Sequence, residues 1–465
     1  MIKKEWNFYN APYNWSSTWE WSKMVDLCKK IDEKYNWGIS KKLVGKSRPG
    51  ELTDNDIVDN IPDNFCVLPF SRLQIDPDGR AKPCCKYKNG VPPDLNDYTK
   101  LPNKNLDELW NQDEFVILRD QFMKNERPEG CKVCWEEEAS GMKSLRQIVQ
   151  NGAKINPRYN VFVKIPSQSP DHLDLKLSNL CNLKCRICTP FLSSQWIKEH
   201  KDLNLADDNV IKIYTNNSRE KLFEDSYNEE LLKQWAPGIT DIEFYGGEPL
   251  LQQEHSKVLE LITTYGNPEV LRFFYNSNST QFDASFFKYW EKCQFITINF
   301  SVDDIEDRFE YQRKNAVYDE VFKNLTLFVK HAEQHKLKYE FNIYNTVGML
   351  NVLYLPEFLK EAEKFNLQVW LNLVHYPDHF NIKNLPKEVK EIIKQKLETI
   401  NYSNIKFNKD SISVKDIINF MMMNEADPSM IKRFYEVVRL HDGYRKESFD
   451  QTFPELHELL KKYEI

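Results

Sequence analysis

Three cysteines within one short stretch, Cys181, Cys185 and Cys188, stand at the spacing C-x-x-x-C-x-x-C in Ser178-Asn179-Leu180-Cys181-Asn182-Leu183-Lys184-Cys185-Arg186-Ile187-Cys188. They follow directly on the alternating run His172-Leu173-Asp174-Leu175-Lys176-Leu177, which reads as a strand. Three thiols so close cannot all serve separate disulfides, and a loop that curls can bring them to one inorganic centre. A zinc site usually takes a fourth ligand close by, and none follows unless His200 swings in. A cubane iron–sulfur cluster takes one ligand per iron, so three cysteines leave one iron open for chemistry. A structural zinc or a redox-sensitive cysteine group is the plainer alternative.

From Asp171 onward, strand and helix patterns alternate. Strands are predicted over 174–177, 241–245, 271–276, 295–301, 339–345 and 369–374, with helices over 193–200, 253–265, 283–291, 319–335 and 355–365. Six strands separated by helices are expected to make a parallel sheet with right-handed crossovers, curled into a partial (β/α)6 barrel. Catalytic groups then belong at the carboxyl ends of the strands. Phe244-Tyr245-Gly246-Gly247-Glu248-Pro249 ends the second strand; its glycines let the backbone approach a ligand, and Glu248 can accept from an ammonium group. The third strand ends in Tyr275-Asn276-Ser277-Asn278-Ser279, and the fourth in Phe300-Ser301-Val302-Asp303-Asp304, with Arg313 beyond. Taken singly, such polar residues can equally be caps of strands and helices.

On these residues the chain resembles the radical S-adenosylmethionine (radical SAM) family, whose members carry C-x-x-x-C-x-x-C after the first barrel strand. The resemblance implies that Cys181, Cys185 and Cys188 hold a [4Fe–4S] cluster whose open iron chelates SAM. It implies that Tyr245, Gly246, Gly247, Glu248 and Pro249 form the GGEP motif at the SAM amino group. Ser301, Asp303 and Arg313 would contact the SAM ribose and carboxylate, with Asn276 nearby. Ile187 stands where the family often has an aromatic residue, and keeps an apolar contact for adenine. The implied activity is reductive cleavage of SAM to a 5′-deoxyadenosyl radical that takes hydrogen from a substrate, the hard chemistry belonging to the cofactors.

A second cysteine group precedes the barrel. Phe65-Cys66-Val67-Leu68-Pro69-Phe70 and Ala81-Lys82-Pro83-Cys84-Cys85 flank the turn Asp76-Pro77-Asp78-Gly79, so a hairpin brings Cys66 and Cys84 towards each other. After an expected helix over 106–124 comes Gly130-Cys131-Lys132-Val133-Cys134. Four thiols suffice for one centre, and four thiolates suit zinc as well. The pattern resembles the SPASM and twitch auxiliary-cluster domains. Ser140 stands where a fuller set of cysteines would continue, so the resemblance implies one auxiliary cluster, a [4Fe–4S], on Cys66, Cys84, Cys131 and Cys134. The glycine spacing favours Cys84 over Cys85.

The remaining chain bounds the class. A net charge of −7, from 63 basic and 70 acidic residues, gives no basic field for a phosphate backbone, so no nucleic acid is indicated. The start Met1-Ile2-Lys3-Lys4-Glu5-Trp6 lacks a signal-peptide core and no apolar run reaches membrane length, so a cytoplasmic protein without a membrane is expected. Ten cysteines bunched in pairs and triplets then read as metal ligands. The expected domains are an aromatic-rich helical segment over 1–60 with a helix over 17–35, the auxiliary-cluster domain over 61–150, the barrel over 171–377 and a helical cap over 378–465. Cys28 and Cys293 read as core thiols. His331 and His335 lie one helical turn apart without the H-E-x-x-H order, and His375 and His379 straddle Pro377; neither pair is read as a metal site. The expected partners are a peptide or protein side chain as substrate and an electron donor such as flavodoxin or ferredoxin, with the auxiliary cluster relaying electrons. Dehydrogenation of a sugar or other small molecule is the alternative within the class. A non-enzymatic iron–sulfur or zinc redox sensor is the alternative outside it.

Overall fold

The computed structural model describes residues 63–88, 105–139, 143–155, 169–423 and 425–464, with five helical positions between 26 and 33. The rest of the helix expected over 17–35, most of the aromatic-rich segment around it, Cys28 and Ser140 lie outside the described residues. Among the described residues the strands are β1 (Arg72–Ile75), β2 (Ala81–Lys82), β3 (His172–Leu175), β4 (Lys184–Cys185), β5 (Asp241–Phe244), β6 (Arg272–Ser277), β7 (Phe295–Ser301), β8 (Arg313–Lys314), β9 (Tyr339–Val347) and β10 (Gln368–Leu373). All six expected barrel strands form, within two residues of their expected starts. The chain divides into two compact units, one of Met1–Leu177, Glu220–Glu243 and Ser256–Leu271, the other of Ser178–Arg219, Phe244–His255 and Arg272–Ile465.

In the first unit, β1 and β2 form the expected hairpin, with Gln74 opposite Lys82 and Ile75 opposite Ala81. Its turn closes through Gly79 N–H to Asp76 O at 2.8 Å, and Gly79 takes φ +82°, a conformation that suits glycine. β1 also pairs in parallel with β3, Arg72 beside His172 through Ile75 beside Leu175, so the cysteine hairpin shares a sheet with the first barrel strand. Period-two alternation buries Leu73, Leu173 and Ile242 on one face. On the other, buried Arg72 binds Asp174 and Glu243, each at 2.5 Å. The helix expected over 106–124 is two helices, Leu106–Trp110 and Asp113–Met123. Gln112 turns extended between them, as Asp113 and Glu114 open a new first turn.

In the second unit β6, β7, β9 and β10 run parallel in that order, with Arg272 beside Phe295, Ile296 beside Tyr339 and Gln368 beside Asn342. Ile296, Ile298 and Phe300 of β7 are fully buried, as are Ile343 and Leu371. The outer edge of β10 is covered by the tail: Val369 N–H donates to Lys406 O at 2.8 Å, and Asn408 N–H to Val369 O at 2.9 Å. An open strand edge is thereby closed. Helices Lys387–Glu398, Val414–Met423, Pro428–Arg445 and Pro454–Leu460 follow, around a cluster of Phe434, Tyr435, Phe449 and Phe453. These are the elements of a partial (β/α) barrel with a cysteine-rich N-terminal region and a helical C-terminal stretch. No helix among the described residues is long and apolar enough to cross a membrane.

Candidate active site and auxiliary metal centre

The cysteine triplet lies on the loop after β3, all in the second unit. β4 carries Cys185 and pairs antiparallel with β8, which sets Cys185 opposite Arg313. Cys181 is buried, Cys185 and Cys188 half-buried. N–H groups are aimed at two of the sulfurs: Leu183 N–H lies 3.4 Å and Asn278 Nδ2 3.7 Å from Cys181 Sγ, and Arg313 Nη1 lies 3.8 Å from Cys185 Sγ. Burial pushes all three thiols up, Cys181 to about 12. Buried thiolates therefore call for a cation at their sulfurs, and these donors suit sulfur that carries negative charge.

The loop after β5 folds back on the triplet loop. Glu248 N–H donates to Leu180 O at 2.8 Å, and Gly247 N–H to Leu192 O at 3.1 Å. Gly246 and Gly247 take φ +79° and +62°. A Cβ on Gly247 would collide with the Leu180 carbonyl and stand 2.9 Å from Ser178 O, so only glycine lets the two loops meet. Pro249 is buried behind them. The fully buried Glu248 carboxylate accepts from Asn278 N–H at 2.6 Å, Ser277 Oγ at 2.9 Å and Leu250 N–H at 3.3 Å. Burial pushes it up to about 7.

Asp303, buried after β7, pairs with Arg313 Nη2 at 2.7 Å and accepts from Thr346 N–H at 2.9 Å. The structure thus joins Cys181 and Glu248 through Asn278, seats Gly247 on Leu180, and joins Cys185 with Arg313 and Asp303. Ile187, Tyr245 and Ser301 are half-buried. Asn276 is exposed, its Oδ1 accepting from Asn299 Nδ2 at 2.9 Å along the sheet. At this strand end the residue that reaches Cys181 is Asn278, which also donates to Asn182 Oδ1 at 2.9 Å. The order hydroxyl, amide, small residue in Ser277-Asn278-Ser279 was the signal for it.

Sequence reasoning also missed the clamp on β4. Arg186, side chain 2% exposed, binds Asp442 at 2.5 Å and Glu447 at 2.6 Å and lies over the Tyr311 ring. Fully buried Glu199 takes Lys184 at 2.6 Å, His441 at 2.5 Å and Arg445 at 3.0 Å. Residues on both sides of Cys185 are thus held by one C-terminal helix.

In the first unit, Cys66, Cys84, Cys131 and Cys134 line one cavity with Phe122 and Arg146 among its walls. Cys85 is exposed and does not line it. Main-chain N–H groups of Leu68, Lys86 and Arg146 face Cys66, Cys84 and Cys134. Burial pushes these four thiols up, Cys131 to about 12. Arg146 is fixed by Glu138 at 2.7 Å and by the carbonyls of Asp63 and Phe65 at 2.7 and 3.0 Å. Gly130 lies against the Tyr87 ring, where a Cβ would collide, so the turn before Cys131 needs glycine. Among the described residues no three His, Cys, Asp or Glu side chains close around a point that would hold a single metal ion. A cluster takes one thiolate per iron, so its ligands need not share one point. Cys293, half-buried, donates to Trp290 O at 3.0 Å.

Residues 175–360 match the model of the Radical SAM superfamily, and residues 66–135 that of the SPASM iron–sulfur cluster-binding domain. The chain is a radical SAM enzyme. It belongs to that superfamily with a SPASM-like iron–sulfur domain on the N-terminal side of the catalytic domain. Membership implies binding of SAM and iron–sulfur clusters. Among solved structures it is similar to anSMEcpe with bound AdoMet and Cp18Cys peptide, at 18% identity over 49% of this chain and 58% of that one, TM-score 0.33. It is also similar to Streptococcus suis SuiB bound to precursor peptide SuiA, at 14% identity over 71% and 66%, TM-score 0.30. In both, the match spans less than two thirds of the other chain. No curated protein matches significantly.

Proposed function

We propose that Cys181, Cys185 and Cys188 hold the SAM-binding [4Fe–4S] cluster, that Cys66, Cys84, Cys131 and Cys134 hold one auxiliary [4Fe–4S] cluster, and that the substrate is a peptide or protein side chain. The observation that carries the first assignment is the seat of Gly247 against Leu180, which sets a glycine-opened loop beside the thiols. When bound, the cluster and SAM would supply a 5′-deoxyadenosyl radical for hydrogen abstraction. The chain's own part is to bind and orient. The left-handed backbone of Gly246 and Gly247 sets the turn whose carbonyls would take an ammonium group, that of Gly246 also accepting from Gln252 Nε2 at 3.2 Å, and Arg313, locked by Asp303, would face the SAM carboxylate. Buried Glu248 braces Ser277 and Asn278.

Four protein thiolates would leave no open iron at the auxiliary centre, which makes electron relay its natural role, with flavodoxin or ferredoxin as donor. A peptide substrate is supported by the pairing of a radical SAM domain with a SPASM domain. Iron, sulfide and zinc on protein purified without oxygen, with SAM cleavage under reduction, test the reading. About eight irons per chain are expected, falling to about four in both Cys188→Ala and Cys134→Ala, with SAM cleavage abolished only in the first. Zinc at the four-thiol cavity would remove the relay. Turnover of a sugar and of no peptide would move the substrate to the small-molecule alternative.

A further inference from the structure

Four asparagines form a hydrogen-bonded file across the second unit. Asn408 Nδ2 donates to Asn342 Oδ1 at 3.1 Å, Asn342 Nδ2 to Asn299 Oδ1 at 3.0 Å, and Asn299 Nδ2 to Asn276 Oδ1 at 2.9 Å. Strand register sets Asn276 beside Asn299 and Asn299 beside Asn342. The oxygen and nitrogen of an amide have nearly the same shape, so the direction of such a file needs an anchor. Glu340 is that anchor, accepting at Oε1 from Asn342 Nδ2 at 3.2 Å and Asn408 Nδ2 at 3.0 Å. An ionised carboxylate only accepts, so both amides must turn their NH2 towards it. Asn342 then has a hydrogen left for Asn299, and Asn299 one for Asn276. The direction is forced strand by strand, and the file ends on the Asn276 NH2.

That end lies where a substrate would be needed. Asn276 is exposed, on the sheet face opposite buried Tyr275, which packs on Trp290. It precedes by two residues, roughly 7 Å of strand, Asn278 at Cys181. An amide whose oxygen already accepts is a stronger donor, and with no charge of its own it suits a neutral acceptor.

We propose that the Asn276 Nδ2 group is a substrate-positioning donor that takes a main-chain carbonyl of a peptide, its direction set by Glu340; this rests on the radical SAM reading above. The probe is a mixture of N-acetylated, C-amidated synthetic peptides with randomised side chains. The readout is the ratio of 5′-deoxyadenosine formation with and without peptide, taken within each variant of the reduced, SAM-saturated holoenzyme, so that changes in SAM cleavage itself cancel. The wild type is expected to respond, with the half-effect concentration raised about tenfold in Asn276→Asp, which replaces the donor with acceptors, and about threefold in Glu340→Gln, which frees the file to reverse. Intact SAM cleavage that ignores peptide overturns the proposal, as does an unchanged half-effect concentration in Asn276→Asp. Absence of SAM cleavage in the wild type would instead sink the reading it rests on, and the proposal with it.

Discussion

Around the cavity of Cys66, Cys84, Cys131 and Cys134, main-chain N–H groups of Leu68, Lys86 and Arg146 face sulfur; at Cys181 and Cys185, side chains of Asn278 and Arg313 do so as well. A main-chain donor survives substitution of its own side chain. A side-chain donor from a remote strand end makes the sulfur's surroundings depend on tertiary packing. The four-thiol site is thus largely local to its own stretch, whereas the triplet depends on residues as far away as Asp442. The comparison is broken if the two sites fail together whenever either is disturbed.

The largest expected effect comes from the buried arginine of each site. Arg186→Gln leaves Asp442 without its buried cation and Glu447 with Lys314 alone, and Arg146→Gln takes the buried cation from Glu138. Breaking a buried pair by removing one partner costs about 3–5 kcal/mol. Iron analysis and thermal unfolding should show Arg186→Gln retaining the auxiliary iron while losing that of the triplet, and Arg146→Gln the reverse. Equal loss of both in both variants would erase the distinction between the sites.

What the sequence disclosed follows the same division. The strand periodicity, the Asp76-Pro77-Asp78-Gly79 turn and the Gly246-Gly247 approach are local, and each was legible from neighbouring residues. The contact of β1 with β3 was not, because a four-residue strand of alternating character carries no address for its partner. The break at Gln112 was hidden because helical periodicity continues across it. Asn278 was passed over for Asn276, since both lie in one polar strand end and burial alone separates them. The pairing of Arg186 with Asp442 and Glu447 leaves no trace in spacing: a charge run on a C-terminal helix reads as a solvated face until the fold buries it.

A smaller effect is expected from the donor itself. Asn278→Ala removes the Nδ2 group from Cys181 Sγ, and a hydrogen bond to a charged group is worth about 1.5–3 kcal/mol. Reduction adds negative charge to a cluster, so losing a donor destabilises the reduced form more and lowers the potential. Redox titration followed by electron paramagnetic resonance should find the potential of the triplet's cluster lowered by at least several tens of millivolts, with the auxiliary cluster unmoved. An equal shift at both would show that charge over the whole chain, not this donor, sets the potential.

The smallest effect sharpens the comparison through pH. His255 is fully buried between the rings of Phe244 and Phe286, at 4.6 and 4.8 Å, with Nε2 2.9 Å from Tyr275 Oη. Trp290 Nε1 donates to that hydroxyl at 3.1 Å, and among the described residues no carboxylate is hydrogen-bonded to the His255 ring to favour a charged imidazolium. Burial pushes its pKa down to about 3. Below about pH 6.5 the unfolded chain takes up a proton that the folded one refuses, so this stability is present above 6.5 and is lost as pH falls towards 3. Between about pH 6.5 and 5.5 the loss is about 1 kcal/mol. His200 and His379, also held down by burial, belong to the same second unit. Acidification from about pH 7.5 to 5.5 should therefore lower the denaturant midpoint followed by the SAM-responsive cluster signal more than that followed by the auxiliary signal. His255→Phe, which keeps the aromatic packing and cannot titrate, should flatten part of that slope; an unchanged slope would remove His255 from the account and leave the acid sensitivity to His200 and His379.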